Sequence, residues 1–490
     1  MEKYLLAIDQ GTSSTRAMIY TPYGQLVAVS QYDLTQFYPE KGWVEHCPEE
    51  IWTKTVKVVK DVTAKIDITK LLACGITNQR ETTVVWNKQT GKCLYPAIVW
   101  QDRRTEAFCS TLDRAYIKAR TGLFPDPYFS ASKLNWLLKN LPQAHALAAK
   151  NQLAFGTIDT FLLWRLTQGK VHATDVTNAS RTLLFNIFKQ AWDEDLLNLF
   201  EIKANVLPEV KSCDAYFGAI DKALFGFSVP ITGIAGDQQA ALIGQRCFED
   251  GMVKATYGTG AFLLMNTGFQ PIHSSNLITT IAYKIQDQLA YGLEGSLYHA
   301  GTIIKWLRDE MKLISSATES EPLASSLQDN EGVYLVPSFT GLGAPYWLSS
   351  AGALVVGLTR TSNRAHFARA ALESVCYQTK QILQCMEDDS KIKIGVLRVD
   401  GGMTVNQWLL QFLASQCQLT VQRPKDIETT AQGAALIATL GCGELTSIAE
   451  IKQSWQQEGE YLPENHYKQI ERNFTGWLKA VNMLVVNKVN

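Results

Sequence analysis

The sequence predicts an α/β protein built from two similar halves that face each other across a cleft. Three observations carry that prediction. Apolar strand-like runs alternate with runs whose apolar residues recur at helical spacing, the pattern of helices packed on a sheet. One unit occurs twice, as DQGTSSTRAM from Asp9 and as YGTGAFLLM from Tyr257: apolar strand, tip of glycine and hydroxyl residues, apolar strand. The chain of 490 residues also exceeds a single core, since about 150 residues per domain suggests two to four domains.

Taken in order, YLLAID, RAMIY and LVAVS read as three strands separated by QGTSST and TPYGQ, an opening meander. PEEIWTKTVKVVKDV has proline and acids in its first turn and apolar residues at helical spacing, and LLACGIT returns as a strand. From Phe129 to about Phe200 the chain reads as mainly helical, with SKLNWLLKNL and TFLLWRLTQG as its helices and Gly169 as the C-cap of the second. VPITGIAGDQQAALIG gives strand, Gly-acid turn and helix, and MVKATYGTGAFLLMN gives the second hairpin. NRAHFARAALESVCYQTKQIL is a long helix, VLRVD a strand, GGMTVN a turn, and another helix starts at Gln407. No low-complexity segment or flexible linker separates the halves, which divide at 1–244 and 245–490.

Composition excludes several classes of function. Lys plus Arg number 46 against 47 for Asp plus Glu, a formal charge of −1, so no basic surplus points to nucleic acid or an anionic membrane. The apolar stretch in MEKYLLAIDQ is too short for a signal peptide and no later run is long enough to span a bilayer, which points to the cytoplasm. The 10 Cys form no C-x-x-C pair and no cluster with His at zinc-ligand spacing, so each reads as a small buried apolar residue. The GK pairs at Gly91 and Gly169 lack the upstream glycine of a Walker loop, and H-E-x-x-H is absent.

The chemistry-bearing residues admit two readings each. In DQGTSSTRAM, Thr12, Ser13 and Ser14 with the backbone can hold phosphate, or can merely satisfy a hairpin's own polar groups. Asp9 at the strand end is a structural carboxylate or a metal-binding one. Arg80 and Glu81 in NQRETT are an ordinary exposed pair, or a planar donor fork beside an acceptor that neutralise each other while reading neighbouring hydroxyls of a small polyol. Asp237 in IAGDQQAAL is a helix N-cap or a carboxylate displayed at a cleft.

Eight stretches, AIDQGTSSTRA, GITNQRETTVVWN, AIVWQDRRT, DPYFSASKLNWLL, GIAGDQQAALIGQ, YGTGAFLLMNTG, VPSFTGLGAPYW and VDGGMTVN, resemble in order the motifs of the FGGY carbohydrate-kinase family of the actin-like ATPase superfamily, from about Tyr4 to Val481. NQRETT with WQDRRT resembles the family's glycerol-phosphorylating branch. The resemblance implies two actin-like (ribonuclease H-like) domains flanking an ATP-binding cleft, and ATP- and Mg²⁺-dependent phosphorylation of glycerol to sn-glycerol 3-phosphate. It makes DQGTSSTRAM the first phosphate loop, with Thr12, Ser13, Ser14 and Arg16 toward phosphate and Asp9 holding Mg²⁺. Thr259 belongs to the second loop, and Gly301, Gly401, Gly402 and Asn406 to the nucleotide side. It places Arg80, Glu81, Tyr128, Asp237 and Gln238 on glycerol, with Trp100 and Phe262 lining its carbon skeleton, and makes Asp237 the catalytic base. It also implies a homo-oligomer, dimer or tetramer, with neither a nucleic-acid partner nor a membrane span. The rivals are a kinase of another polyol or sugar, and a non-kinase actin-like ATP switch.

The chain departs from the family in three places. Lys305 stands where the family usually has Gln, and LSSAGA follows GLGAPYW in place of an acidic segment. Where fructose 1,6-bisphosphate-inhibited members carry a Gly-Gly-Lys-Gly-Gly-Thr-Arg loop, this chain has AYFGAIDKALFGFSVP, with one Lys222, no Arg, and Leu224, Phe225 and Phe227 in place of glycines. A bisphosphate needs convergent N–H and cationic donors, so the sequence predicts no such regulation here.

Overall fold

The computed structural model describes residues 2–349, 352–465 and 467–486. Its first sheet has five strands in the order Ile231–Gly236, Leu71–Asn78, Tyr4–Gln10, Ser14–Tyr20, Leu26–Asp33. The last three are the expected antiparallel meander, and Leu71–Asn78 and Ile231–Gly236 add in parallel. The second sheet has seven strands, and its central five repeat this plan: Gln288–Leu297, Ala261–Gly268 and Met252–Tyr257 run antiparallel, then Val396–Asp400 and Thr420–Pro424 add in parallel. The repeated hairpin seen in the sequence is thus the visible part of a repeated topology.

Strand Tyr4–Gln10 is buried along its whole length because helices cover both faces of the first sheet. Leu6, Ile8 and Ile19 pack with Ile51, Val58 and Val62 of helix Pro48–Thr63, while Leu5, Ala7 and Met18 pack on Ala431, Ala434 and Ala438 of helix Thr429–Gly441. That second helix follows the last parallel strand of the other half, just as helix Asp237–Gly244 follows the last parallel strand of the first. The two helices cross in close contact, since a Cβ on Gly433 would stand 1.8 Å from the Ala240 carbonyl oxygen and one on Gly244 1.9 Å from that of Thr429. Backbone approach of this kind requires glycine.

The sequence reading needs correction in three places. The stretch 129–200 holds helices Ser130–Asn140, Pro142–Ala149 and Ile158–Leu166, but strands Leu153–Gly156 and Ala173–Asp175 interrupt them. Helix Ile158–Leu166 ends before Gly169, whose N–H closes back on the Trp164 carbonyl at 2.8 Å from a left-handed backbone (φ +79°). The cysteines are free, but Cys47, Cys93, Cys385, Cys417 and Cys442 are only partly buried.

Candidate active site

Both hairpin tips close on one backbone hydrogen bond, Gly11 N–H to Ser14 O at 3.0 Å and Gly258 N–H to Gly260 O at 2.9 Å. In the first tip the Thr15 hydroxyl turns inward and donates to Gln10 Oε1 (2.8 Å), and Ser14 is buried, which leaves Thr12 half-buried and Ser13 exposed. Thr12 accepts from the indole N–H of Trp100 at 2.8 Å. Asp9, 2 % exposed, accepts from Arg16 Nη2 at 2.6 Å. The other arm of Arg16 donates to Glu428, just before helix Thr429–Gly441, so this pair ties the two halves together. Asp9 foremost, with Glu428, holds the Arg16 guanidinium charged despite its burial.

The second tip serves as a seat for helix Gly301–Asp309, whose first N–H groups at Ala300, Gly301 and Thr302 donate to the Thr259 and Gly258 carbonyls at 2.9–3.1 Å. A Cβ at Gly301 would meet Gly258 O at 2.6 Å. Thr259 itself is exposed. Beside it Gly401 takes φ +90° under the Tyr257 backbone, Gly402 borders open space, and the Asn406 side chain caps helix Gln407–Cys417 by accepting from Leu409 N–H at 2.8 Å. Lys305 is exposed on helix Gly301–Asp309. Ser350 and Ala351 of the LSSAGA stretch lie outside the described residues.

Between the tips lies a charged, buried cluster. Arg80 and Glu81 follow strand Leu71–Asn78, and both side chains are 2 % exposed, so this is no surface pair. Nor do they chiefly neutralise each other: their closest approach is 3.6 Å, because consecutive residues project differently. Arg80 instead forms a two-pronged pair with Glu294 of strand Gln288–Leu297 (2.5 and 3.0 Å), and Glu81 accepts from Arg181 Nε at 2.7 Å. Arg181 Nη2 reaches the same Glu294 at 2.9 Å. Two arginines hold the Glu294 carboxyl down at about 2 against the opposing effect of its burial. Tyr128 receives Arg80 Nη2 at 3.2 Å, and burial raises its phenol. Its loop is pinned by the Lys133 ammonium, which donates to the carbonyls of Pro127, Tyr128 and Phe129 at 2.7–2.9 Å. The Trp100 ring stands edge-on to Tyr128 (5.5 Å) and to Phe262 of the second hairpin (6.2 Å), so residues of both halves wall the same space.

Asp237 opens onto that space with 30 % of its side chain exposed. Gly236 occupies the N-cap position and Asp237 begins the helix, so the capping reading fails. Its carboxylate accepts from Gln238 N–H (2.7 Å) and faces Arg80 Nε at 3.3 Å. Burial raises its pKa to about 6, helped by the Glu81 charge and opposed by Arg80 and Lys254. Gln238 accepts from Lys254, a buried ammonium on strand Met252–Tyr257 that also donates to Thr256 Oγ1 (3.1 Å). Desolvation lowers that ammonium to about 8.

The structure therefore gathers Arg80, Glu81, Trp100, Tyr128, Asp237, Gln238 and Phe262 around one opening between the hairpins. The sequence reading missed Arg181, Lys254 and Glu294. Their signal was a lone charge within a run of otherwise apolar or small residues, as in GLEGSL and MVKAT.

Comparison with known proteins gives the family. Residues 4–244 match the N-terminal domain of the FGGY family of carbohydrate kinases and residues 253–442 match its C-terminal domain. A glycerol kinase of Ectopseudomonas mendocina is 50% identical over 488 residues, covering 98% of this chain and 99% of its own, and one of Petrotoga mobilis is 50% identical with 98% of each chain covered. Among solved structures, Plasmodium falciparum glycerol kinase with ADP superposes with a TM-score of 0.93 at 37% identity over 99% of this chain and 98% of its own. A ligand-bound xylulose kinase of Lactobacillus acidophilus, at 21% identity and a TM-score of 0.89 over 99% of this chain and 98% of its own, shares the fold. Two domain matches that between them span both hairpins, and relatives at half identity along nearly the whole length, place this chain in the FGGY family of carbohydrate kinases.

Proposed function

We propose that this chain transfers the γ-phosphoryl group of ATP to glycerol, giving ADP and sn-glycerol 3-phosphate. The observation that carries the reading is a half-open carboxylate, Asp237, beside buried charged side chains, Arg80 paired with Glu294 and Glu81 with Arg181. Arg80, Glu81, Tyr128 and Gln238 hold the hydroxyls, and Trp100 and Phe262 wall the carbons. Asp237, ionised above about pH 6, accepts the proton of the attacking hydroxyl as the new P–O bond forms. The backbone and hydroxyls of the two tips, at half-buried Thr12 and exposed Ser13 and Thr259, supply phosphate donors from opposite sides, with Arg16 adding charge near the first. Gly301, Gly402 and Asn406 border the nucleotide on the second side.

Among the described residues no group of three or more His, Cys, Asp or Glu is placed to hold a metal. Asp9, on strand Tyr4–Gln10 just before the first tip and bonded to Arg16, is the carboxylate that would hold Mg²⁺, because that ion keeps its waters and takes one or two carboxylates together with substrate phosphates. Bound there it would neutralise phosphate charge. No helix among the described residues is long and apolar enough to cross a membrane. We place the domain boundary at 244/245 and the enzyme in the cytoplasm as a homo-oligomer. A coupled assay offering glycerol, dihydroxyacetone, xylulose and gluconate, with ATP hydrolysis measured in their absence, tests the reading. Glycerol as the preferred acceptor is expected, and preference for another acceptor, or hydrolysis indifferent to acceptor, would overturn it.

A further inference from the structure

The acceptor-reading side chains Arg80, Glu81, Tyr128, Asp237 and Gln238 all come from the first half of the chain, and Arg80 makes longer contacts there with Gln239, Tyr128 and Asp237 (3.2–3.3 Å), yet its shortest bonds go to the other half. Its guanidinium is fixed by Glu294, in the middle of strand Gln288–Leu297 of the second sheet, through two parallel bonds of 2.5 and 3.0 Å. Arg181, also from the first half, bonds the same carboxylate at 2.9 Å with a side chain fully buried. Glu294 is 1 % exposed, and its two carboxylate oxygens are taken up by Arg80 and Arg181. Gly295 beside it lies against Ile382 of the long helix Arg364–Ser390, where a Cβ would come within 2.6 Å of the side chain.

Fork-to-fork pairing of a guanidinium and a carboxylate sets the plane of the guanidinium as well as its place. Both nitrogens used by Glu294 are terminal ones. Nε is left turned toward Asp237 at 3.3 Å, and Nη2 also reaches the Tyr128 hydroxyl at 3.2 Å. A bidentate clamp from the opposite half thus decides which edge of Arg80 faces the pocket, and it sets a negative charge against the guanidinium that pulls the Asp237 carboxyl down.

We propose that Glu294 is a positioning residue for the acceptor site: from the second half of the molecule it orients Arg80 toward the polyol and shields the base Asp237 from the Arg80 charge. The inference rests on the acceptor-site reading given above. The charged groups facing Asp237 are Arg80, Glu81 and Lys254, and those facing Glu294 are Arg80, Arg181 and Lys254. Removing the Glu294 charge strengthens Arg80 on Asp237, which stabilises the Asp237 carboxylate and makes it a weaker base. Shortening the side chain by one methylene keeps the charge and breaks the two-pronged reach.

Two variants separate these effects. Glu294→Gln is expected to raise the glycerol KM about 10- to 100-fold by releasing the fork, to leave the ATP KM within about twofold, and to move the acid limb of kcat down by about one pH unit. Glu294→Asp should also raise the glycerol KM but leave the acid limb in place. Equal rises in both KM values, an unmoved acid limb in the Gln variant, or wild-type glycerol KM in the Asp variant would each overturn the proposal. Failure of both variants to bind ADP by calorimetry would assign Glu294 to stability alone and overturn it too. If the wild type itself prefers another acceptor, the acceptor-site reading is what fails.

Discussion

As the proposed base, Asp237 needs to be ionised to take a proton and basic enough to want one, and its surroundings set both. Recess between the halves and the Glu81 charge push its carboxyl up, Arg80 and Lys254 pull it down, and the balance is about 6. Only the deprotonated form accepts the glycerol proton, so activity should rise with pH through about 6 and level above it. Asp237→Asn should leave nucleotide binding intact and lower turnover by about 10²–10⁴-fold. Steady-state rates beside ADP-binding calorimetry check this, and wild-type turnover in a folded variant would make the residue structural. Arg80→Ala should raise the glycerol KM with little change for ATP, at a cost of roughly 1–3 kcal/mol from partners left unpaired. Several of these residues were legible because their chemistry is local: Asp237 follows a strand and glycine, and Arg80 and Glu81 sit together in NQRETT. The arrangement of charge was not, since Arg80 finds Glu294 214 positions further along the chain, and no spacing in a sequence reports that pairing.

The crossing of helices Asp237–Gly244 and Thr429–Gly441 belongs to the scale of elements. Gly433 lies against the Ala240 carbonyl, and backbone cannot yield as a side-chain tip does. Gly433→Ala should therefore destabilise by about 1–3 kcal/mol, whereas Gly395→Ala, with nothing within 4 Å of its added carbon, should be near neutral. Thermal unfolding midpoints of the two variants, compared with wild type, decide it. The segment before strand Ile231–Gly236 gives a second expectation. It folds as a short helix, Lys222–Phe225, with Phe225 and Phe227 stacked at 5.7 Å against the core of the first half, and only Lys222 offers a cation. Titrating fructose 1,6-bisphosphate into active enzyme should give no saturable inhibition at sub-millimolar ligand. Saturable inhibition that Lys222→Ala abolishes would sink that expectation. The opening meander was legible because its strands are short apolar runs bounded by turn residues. The hairpin of Ile278–Ile285 and Gln288–Leu297 escaped, because its turn is Gln286–Asp287, both at positive φ (49° and 60°) without the glycine that usually announces such a turn.

At the scale of the molecule, three of the contacts that join the halves bear on the cleft: the helix crossing, the pair of Arg16 with Glu428, and the Glu294 clamp. All three involve the residues that shape or border the cleft, while the two hairpin tips remain exposed at Ser13 and Thr259. In the proposed arrangement glycerol engages residues mostly of the first half, and nucleotide phosphates take donors from both tips. Ligands that bridge the tips stabilise whatever arrangement brings them together, and a ligand held by one half alone has no such leverage. A glycine-tight helix crossing resists sliding but allows rotation about the contact, the ordinary geometry of domain closure. Small-angle scattering should accordingly show a reduced radius of gyration when glycerol and a non-hydrolysable ATP analogue are both present. Glycerol alone should produce little change, and the analogue alone an intermediate one. Glu428→Gln, which loosens the Arg16 tie without touching the acceptor pocket, should weaken the nucleotide's contribution to compaction and leave the glycerol KM unaltered. Identical scattering in all ligation states would mean that the tips are already at working distance, and that water is excluded from the transfer by the pocket walls alone.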